Sequence, residues 1–259
     1  MSEETKQPKK RRLTFVLLVV LLLMICMGSC VGLLLSYMPK ATKKRIVVDK
    51  QLVGVLDGFA YIWFIRTKKG VILVDSGMDK NAKMLKAELK RQGLTPKDIH
   101  AVFATHGHKD HISGLMSLPK VKVWVGPGET GVITKEAPAG GLIQRTLSVF
   151  NSALPLPQKI NEVKDGQKFV FGDEMIQAIH TPGHTRGSTM YLWRNVLFTG
   201  DSLNPVKGRL TLMPRVMMED SVLAMQSLHK LKKLPFTMVA DGHGGLTPNA
   251  HLRLVETLK

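Results

Sequence analysis

Three of the nine histidines in the chain, together with one aspartate, fall within six residues of the stretch FATHGHKDHISG. Imidazole nitrogens and carboxylate oxygens are the ligands that Zn²⁺, Fe and Mn take in sites without thiolate. If a strand ends at Ala104, His106 and His108 point to one side, and the following turn brings Asp110 and His111 to an adjacent position. The spacing therefore predicts two neighbouring half-sites for metal. A histidine-rich surface loop would show the same composition, but it would need no further ligands.

Further candidate ligands follow later in the chain, each at the end of a predicted strand. They are His184 in HTPGHTRGS, Asp201 in LFTGDS and His243 in VADGHGG. Asp75 in VDSG ends an earlier strand and is the candidate for holding a ligand imidazole through its free N–H. These seven nitrogen and oxygen ligands exceed what one tetrahedral site holds, which favours two metals. The remaining histidines are predicted to be surface or packing residues: His100, His180, His229 and His251.

The order of these motifs, H-x-H-x-D-H followed by TPGHT, FTGD and GHG and preceded by VDSG, resembles the metallo-β-lactamase superfamily over residues 46–259. The resemblance implies an α+β fold, the four-layered αβ/βα sandwich, with metals in a groove at one edge of its two sheets. It implies that His106, His108 and His184 hold the first metal, that Asp110, His111 and His243 hold the second, and that Asp201 bridges them. Two cations about 3.5–4 Å apart need such a bridging anion, and a hydroxide shared between them would be the nucleophile.

The bridging position separates the branches of this superfamily. True metallo-β-lactamases resemble one another in carrying Cys or Ser there, so Asp201 argues against β-lactam hydrolysis. The motif set is more similar to glyoxalase II-type thioesterases and acyl-homoserine lactonases, in which Asp110 and Asp201 would act through the metals. This resemblance implies a two-zinc hydrolase of an ester, thioester or lactone, with Fe or Mn as alternative metals. Because the chain ends at Lys259, we expect no helical C-terminal domain of the kind with which glyoxalase II binds glutathione, which argues against glutathione thioesters.

Other functions share this ligand pattern. Phosphodiesterases of the superfamily resemble the chain in the same metal ligands, and a basic surface suits their substrates. Sulfur dioxygenases of the superfamily use a single iron for oxidation, so metal analysis and oxygen consumption separate them from hydrolases. A membrane-tethered binding module with an inactive site is disfavoured because no ligand of the pattern is missing.

The elements that must position the ligands form two strand-rich halves, each with helices, which predicts a layered α+β fold. Strands are expected at residues 46–48, 51–55, 60–67, 71–74, 99–104, 121–125, 168–171, 175–180, 189–193, 196–199 and 237–240. Helices are expected at residues 81–92, 142–152, 220–231 and 249–258. Two long segments, 126–157 and 203–218, are predicted to overhang the ligands and to determine which substrate fits. Their apolar residues and the cations Lys207, Arg209 and Arg215 favour a small substrate with an apolar part and a negative charge.

Residues 13–38 contain no charged side chain and follow a basic tail at residues 1–12. As a helix this run would reach about 39 Å, more than the roughly 30 Å of a bilayer's hydrocarbon core. It predicts one transmembrane anchor, joined by a basic linker at residues 39–45 to a domain at residues 46–259. A cleaved secretory signal and a lipoprotein signal ending at Cys30 are the alternatives. Because the denser basic cluster precedes the run, the positive-inside rule favours a domain outside the cell.

The charge and the cysteine content of the sequence indicate which binding partners and metal ligands are favoured or excluded. The formal net charge is +17, and residues 46–259 alone carry 28 basic against 18 acidic side chains. Such a surface favours anionic small molecules and lipid headgroups. Only three Trp and three Tyr are present and no nucleic-acid-binding fingerprint occurs, which argues against nucleic acid as a partner. Both cysteines, Cys26 and Cys30, lie in the apolar run, so the domain has neither a disulfide nor a cysteine metal ligand.

Overall fold

A computed structural model describes most of the chain from residue 39 onward. The described residues are 14–22, 24, 29, 32, 36, 39–41, 43–118, 120–138, 140–148, 153–206 and 208–258. The chain divides into two units, Met1–Met38 and Pro39–Lys259. In the first unit residues 14–22 are helical, and none of the described helices has the length and apolar character that crossing a membrane requires. The basic tail and half of the predicted anchor at residues 13–38, including both cysteines, lie outside the described residues.

The second unit begins with a mixed sheet of seven described strands, which follow one another in the sheet as they do in the chain. They are β1 (Arg45–Val47), β2 (Leu52–Asp57), β3 (Ala60–Thr67), β4 (Gly70–Val74), β5 (Ile99–Phe103), β6 (Val123–Val125) and β7 (Ile160–Glu162). The first four strands are antiparallel, and β4 to β7 run parallel to one another. Parallel neighbours need long crossover connections, and these connections carry the helices and the first histidine motif.

A second sheet holds six described strands in the order β15, β14, β11, β10, β9, β8. Its members are β8 (Lys168–Phe171), β9 (Glu174–His180), β10 (Thr189–Trp193), β11 (Val196–Gly200), β14 (Met238–Asp241) and β15 (Leu246–Pro248). The pair β11 and β14 is parallel, and the other neighbours are antiparallel. The intervening strands β12 (Asn204–Val206) and β13 (Arg209–Thr211) form a separate two-stranded ribbon.

This unit contains six described α-helices, some of which cover the outer faces of the two sheets. They are α1 (Lys83–Arg91), α2 (Lys109–Ile112), α3 (Glu129–Thr134), α4 (Leu142–Ser148), α5 (Ser221–Leu231) and α6 (Ala250–Thr257). Leu85 and Leu89 of α1 pack in one core with the outer face of the first sheet, and Leu228 and Leu254 pack in another with the outer face of the second. A third core lies between the sheets. The order helix, sheet, sheet, helix confirms the predicted four-layered α+β sandwich.

Large aromatic side chains fill the core between the sheets and tie the two sheets together. Trp63 and Tyr191 are buried there, and each has one polar atom that needs a partner. The indole N–H of Trp63 donates to the Asp241 carbonyl at 3.1 Å, and the Tyr191 hydroxyl donates to the Ala104 carbonyl at 3.0 Å. Both bonds cross from one sheet to the other close to the ends of β5 and β14. They therefore fix the relative position of strand ends that carry candidate ligands.

Most of the elements expected from the pattern are present. The predicted strands occur with shifts of one or two residues at their ends, and the helix predicted at residues 81–92 is α1. The helix predicted at residues 142–152 corresponds to α4, and residues 149–152 lie outside the described chain. The pattern missed α2, α3, β7, β15 and the ribbon of β12 and β13. Each of these is three to six residues long, too short for a period of two or 3.6 to stand out.

Candidate metal centre

Two pairs of parallel strands end at the same edge of the sandwich, one pair in each sheet. In the first sheet β4 ends just before Asp75. The neighbouring strand β5 ends at Phe103 and is followed closely by Thr105 and His106. In the second sheet β11 ends just before Asp201, and β14 is followed by His243. Because parallel strands present their carboxyl ends at one edge, these side chains lie close together although the chain separates them widely. The loop between β9 and β10 adds a further side chain to the same edge.

The first ligand group consists of His106, His108 and His184 with one oxygen of Asp201. His106 Nε2 lies 2.9 Å from His108 Nδ1, and His184 Nε2 lies 3.2 Å from the same atom. Asp201 Oδ2 lies 3.5 Å from His184 Nε2 and 3.9 Å from His106 Nε2. Ligands of a tetrahedral zinc at about 2.0–2.1 Å are about 3.3 Å from one another. The group therefore has the size of a tetrahedral metal shell.

The second ligand group consists of Asp110, His111 and His243, and the other oxygen of Asp201 completes it. Asp110 Oδ2 lies 3.4 Å from His111 Nε2 and 3.7 Å from His243 Nε2. Asp201 Oδ1 lies 3.3 Å from His111 Nε2 and 3.0 Å from His243 Nε2. The two oxygens of one carboxylate thus face two different groups of ligand atoms. This is the arrangement that a carboxylate bridging two cations requires.

Unsatisfied atoms at the centre show that these residues fit a bound cation. His111 Nε2 and Asp201 Oδ1 are buried, yet neither has a hydrogen-bond partner among the described residues. Buried polar atoms are normally paired because leaving one unpaired costs about 1–3 kcal/mol. A divalent metal with affinity for nitrogen and oxygen would satisfy both atoms at once. The donor set and its spacing therefore fit a divalent metal, of which zinc is the typical choice for this fold.

The protonation of the imidazoles differs between the two groups. Burial lowers the pKa of His184 to about 3 and holds the pKa of His106 well below its usual range, so both rings are neutral, the form that binds metal. Burial also lowers the pKa of His111, but the charges of Asp110, Asp201 and Asp75 outweigh it and raise that pKa well above its ordinary value. The second group thus favours positive charge.

Hydrogen bonds behind the ligands orient the imidazole rings. Asp75 Oδ2 accepts from His111 Nδ1 at 2.8 Å, which leaves Nε2 free to face the centre. Asp75 Oδ1 accepts from the backbone N–H of Thr105 at 2.7 Å, and the Thr105 hydroxyl lies 3.1 Å from His106 Nδ1. His243 Nδ1 lies 2.8 Å from the Phe59 carbonyl, so it donates there. Such partners fix which nitrogen is available as a ligand. The role of Asp75 in supporting a metal ligand stays a prediction.

Two supporting residues were not expected from the sequence. Glu129, at the start of α3, is fully buried and accepts hydrogen bonds from Gly107 and Thr185, which adjoin three of the histidines. Thr105 joins Asp75 to His106. Gly200 has φ 51°, and a Cβ there would overlap Thr105. A glutamate after a Gly-Pro-Gly turn carries no signal for burial, so only the structure identifies Glu129 as a residue of this centre.

The two long segments predicted to overhang the ligands meet beside the first group. A Cβ built on Gly140 would lie 3.2 Å from His108 Nε2, and one on Gly141 would lie 2.5 Å from the backbone between Met217 and Met218. The helix α4 also packs against the turn Arg215–Met217. The described parts of both segments therefore form a wall on the His108 side. Lys207 and residues 149–152 lie outside the described chain.

Apolar side chains flank the opposite side of the centre. The ring of Phe59 is stacked on His243 with a centroid distance of 5.7 Å, and 54% of the residue is exposed. Met78 is 44% exposed and lies against Gly58, next to Phe59. The four histidines predicted to lie apart from the site do so: His100 contacts Thr67, His180 and His251 contact backbone carbonyls, and His229 is exposed on α5.

Comparison with known proteins agrees with this geometry. Residues 55–243 match the family model described as Metallo-beta-lactamase superfamily. A probable metallo-hydrolase from Methanocaldococcus jannaschii is 28% identical over 176 residues, which span 68% of this chain and 71% of that protein. Proteins named hydroxyacylglutathione hydrolase from Brucella anthropi and Xanthomonas axonopodis are 35% and 31% identical over 179 and 198 residues. These two alignments span 67% and 75% of this chain but only 57% and 64% of the relatives.

Solved structures with the same fold are also found. The Rm3 metallo-beta-lactamase superposes with a TM-score of 0.65 at 18% identity, covering 85% of this chain and 93% of that one. An archaeal metallo-beta-lactamase superfamily protein from Sulfolobus tokodaii superposes with a TM-score of 0.61 at 24% identity, covering 81% of this chain and 85% of that one. At these identities the likeness establishes the fold and leaves the substrate open.

Proposed function

The chain belongs to the metallo-β-lactamase superfamily and is a metal-dependent hydrolase, and we propose that it hydrolyses acyl thioesters with a pair of zinc ions. The observation that carries this proposal is the position of Asp201, whose two oxygens face two separate groups of histidines. Relatives named hydroxyacylglutathione hydrolase, at 31% and 35% identity, support a thioester as the bond that is cleaved.

The side chains of the centre have distinct tasks in this proposal. The first group would hold one metal, the second group the other, and Asp201 would contact both. When bound, divalent metals lower the pKa of a coordinated water towards about 7 and polarise a carbonyl oxygen, which is what hydrolysis without a serine or cysteine nucleophile requires. Asp75 keeps His111 in the tautomer that presents Nε2 to the centre. The Phe59 carbonyl does the same for His243.

The walls of the centre favour an acyl chain as part of the substrate. Phe59 and Met78 offer exposed apolar surface on the His243 side, and Leu142 and Val216 are 69% and 43% exposed on the segments of the other side. Apolar surface beside a polar centre binds the hydrocarbon part of a ligand, and a few polar groups fix its orientation. Arg215 lies next to Val216 in the sequence and is exposed, which suits a negative charge at the far end of the substrate.

A substrate panel tests the proposed reaction. Full-length protein loaded with zinc should hydrolyse a hydroxyacylglutathione, or the same acyl group on another thiol, with a higher kcat/KM than a lactone or a phosphodiester. Comparing the two thioesters separates recognition of the acyl group from recognition of the thiol. A phosphodiester as the best substrate, or oxygen consumption with a thiol substrate and a single iron, would refute the proposal and favour one of the other chemistries of the superfamily.

We also propose that residues 13–38 anchor the chain in a membrane with the hydrolase unit outside the cell. The support is the uncharged run itself and the basic cluster that precedes it. The full chain should stay with membranes after extraction at alkaline pH, whereas a chain starting at Pro39 should not. Protease added to intact cells should remove the hydrolase unit. Complete protection would reverse the orientation, and release of the full chain at alkaline pH would refute the anchor.

A further inference from the structure

We propose that Glu129 is a positioning residue for the first metal site, joining the two loops that supply its three histidines. The inference rests on the metal-binding role proposed for these histidines and does not depend on which substrate is hydrolysed. Glu129 opens α3 and contributes no ligand atom to either group. Its side chain instead contacts the residues next to the ligands, one in each loop.

The two carboxylate oxygens of Glu129 accept from different loops. Oε1 accepts from the backbone N–H of Gly107 at 2.6 Å, and Gly107 lies between His106 and His108. Oε2 accepts from the hydroxyl of Thr185 at 2.7 Å, and Thr185 follows His184. The backbone N–H of Gly187 also stabilises the charged form of this carboxylate and lowers its pKa. One rigid group thus sets the distance between loops that are 76 residues apart in the chain.

Tight packing makes this distance specific. A Cβ added to Gly107 would lie 2.9 Å from Glu129 Oε1, and one added to Gly187 would lie 2.5 Å from Oε2. Only residues without a side chain let both loops approach the carboxylate so closely. Because a backbone N–H such as that of Gly107 can only donate, the position beside it requires an acceptor.

The free-energy cost of burying the Glu129 carboxylate indicates that this side chain does more than fill space in the core. Burial raises the pKa of Glu129 to about 7, against the lowering effect of its three donors. A buried carboxylate is expensive, and apolar side chains of the same volume are often as stabilising or more so. Apolar side chains have no hydrogen-bond acceptor, so they cannot hold a backbone N–H and a hydroxyl from two loops at fixed positions. Three imidazoles require this property when two of them place Nε2 within 3.2 Å of His108 Nδ1.

The Glu129→Gln substitution tests the acceptor role of this side chain most directly. Glutamine has the same shape, but its amide nitrogen is a donor and would replace an acceptor oxygen beside the backbone N–H of Gly107 or of Gly187. We expect the Glu129→Gln variant to bind metal about 10–100-fold more weakly at the first site, the range seen when a partner of a metal ligand is lost. The second site should keep its affinity, because Asp110, His111 and His243 are held by other contacts.

Glu174 offers a matched control. It is also a buried glutamate, and it accepts from the indole of Trp193 at 2.8 Å and from Arg194 at 2.7 Å. None of its hydrogen bonds in the described chain reaches a loop that carries a ligand. The Glu174→Gln variant should therefore lose thermal stability to a similar degree and retain both metals. Thr185→Val, which replaces the hydroxyl with a methyl group, should weaken the first site by a smaller factor and serves if Glu129→Gln does not fold.

The experiment measures metal retention in the full chain. Zinc content is followed as chelator is added, and the absorption spectrum of the cobalt(II)-substituted protein reports which histidine environment empties first. The expected result is loss of one equivalent at lower chelator concentration in Glu129→Gln and Thr185→Val, and wild-type behaviour in Glu174→Gln. Retention of both metals by all variants would overturn the inference, as would equal weakening of both sites. Wild-type protein that binds no metal would overturn the metal centre itself.

Discussion

Alanine in place of Asp201 is expected to lower kcat/KM on the best thioester by about a thousandfold or more, a loss of about 4 kcal/mol of transition-state stabilisation. The residue is 4% exposed, and its oxygens lie 3.0–3.5 Å from nitrogens of His111, His184 and His243. The substitution removes the carboxylate of the first group and one of the two carboxylates of the second. Both proposed metals would lose a ligand, and the charge that limits their mutual repulsion would be gone.

Metal analysis accompanies the kinetics of this variant. Wild-type protein should hold close to two equivalents of zinc per chain, and Asp201→Ala should lose metal from both sites. His108→Ala should show a loss of turnover of similar order, because His108 Nδ1 is the atom on which the first group converges. His229→Ala is the control, since His229 is exposed on α5. A stable single iron in the wild type, or equal losses in all three variants, would contradict this assignment.

The seven candidate ligands were accessible to sequence analysis because each follows a strand within a short motif. Parallel strands bring their carboxyl ends to one edge, which is how His106, Asp201 and His243 meet, whereas His184 lies in the loop between the antiparallel strands β9 and β10. The resemblance of the motifs to the metallo-β-lactamase superfamily, and not a rule about strands, implied that these side chains form one centre. The structure brings all seven side chains into two groups, in each of which the ligand atoms lie within 4.8 Å of one another. Their function as ligands stays a prediction until metal is measured. A short motif reflects local backbone geometry, and local geometry is what a sequence pattern can predict.

The contacts that support the ligands could not be predicted in the same way. Glu129 reaches Gly107 and Thr185 across 22 and 56 residues, and the Phe59 carbonyl receives His243 across 184. Nothing in the residue types at these positions distinguishes such partners from surface groups. They depend on how the layers pack, which is set by the cores between and outside the sheets and not by any local period. Backbone carbonyls also carry no sequence signal at all.

The shape of the groove beside the first ligand group depends on the same kind of contact between distant segments. The pairing of α4 with the turn Arg215–Met217 was not visible in the sequence, although both segments were expected to lie near the ligands. Gly141 permits this pairing because a Cβ there would overlap the backbone next to Met217. The residue types of the centre can therefore be predicted from its motifs. The shape of the groove cannot, because it depends on contacts between loops that form only in the folded chain.

Asparagine in place of Asp75 is expected to lower metal affinity at the second site, and kcat with it, by about 10–100-fold. Asp75 Oδ2 accepts from His111 Nδ1, and Oδ1 accepts from Thr105, so one carboxylate orients a ligand and anchors the loop of His106. An asparagine keeps the shape and tolerates the positive φ of 62° at this position, so the fold should survive. It removes the negative charge and replaces one acceptor oxygen with a donor nitrogen that faces N–H or O–H groups.

Two measurements separate this role of Asp75 from general stabilisation. In metal-free protein the pKa of His111, followed by nuclear magnetic resonance, should fall in Asp75→Asn, because one of the three carboxylates that raise it has lost its charge. Asp79→Asn is the control: Asp79 lies in the same loop between β4 and α1, and its carboxylate accepts from the backbone of Asn81 and Lys83. That variant should keep wild-type kcat and metal affinity. The proposed role would be wrong if Asp75→Asn had the same kcat and metal affinity as Asp79→Asn and the pKa of His111 did not change. Other contacts would then orient His111, and Asp75 would stabilise only the turn at the end of β4.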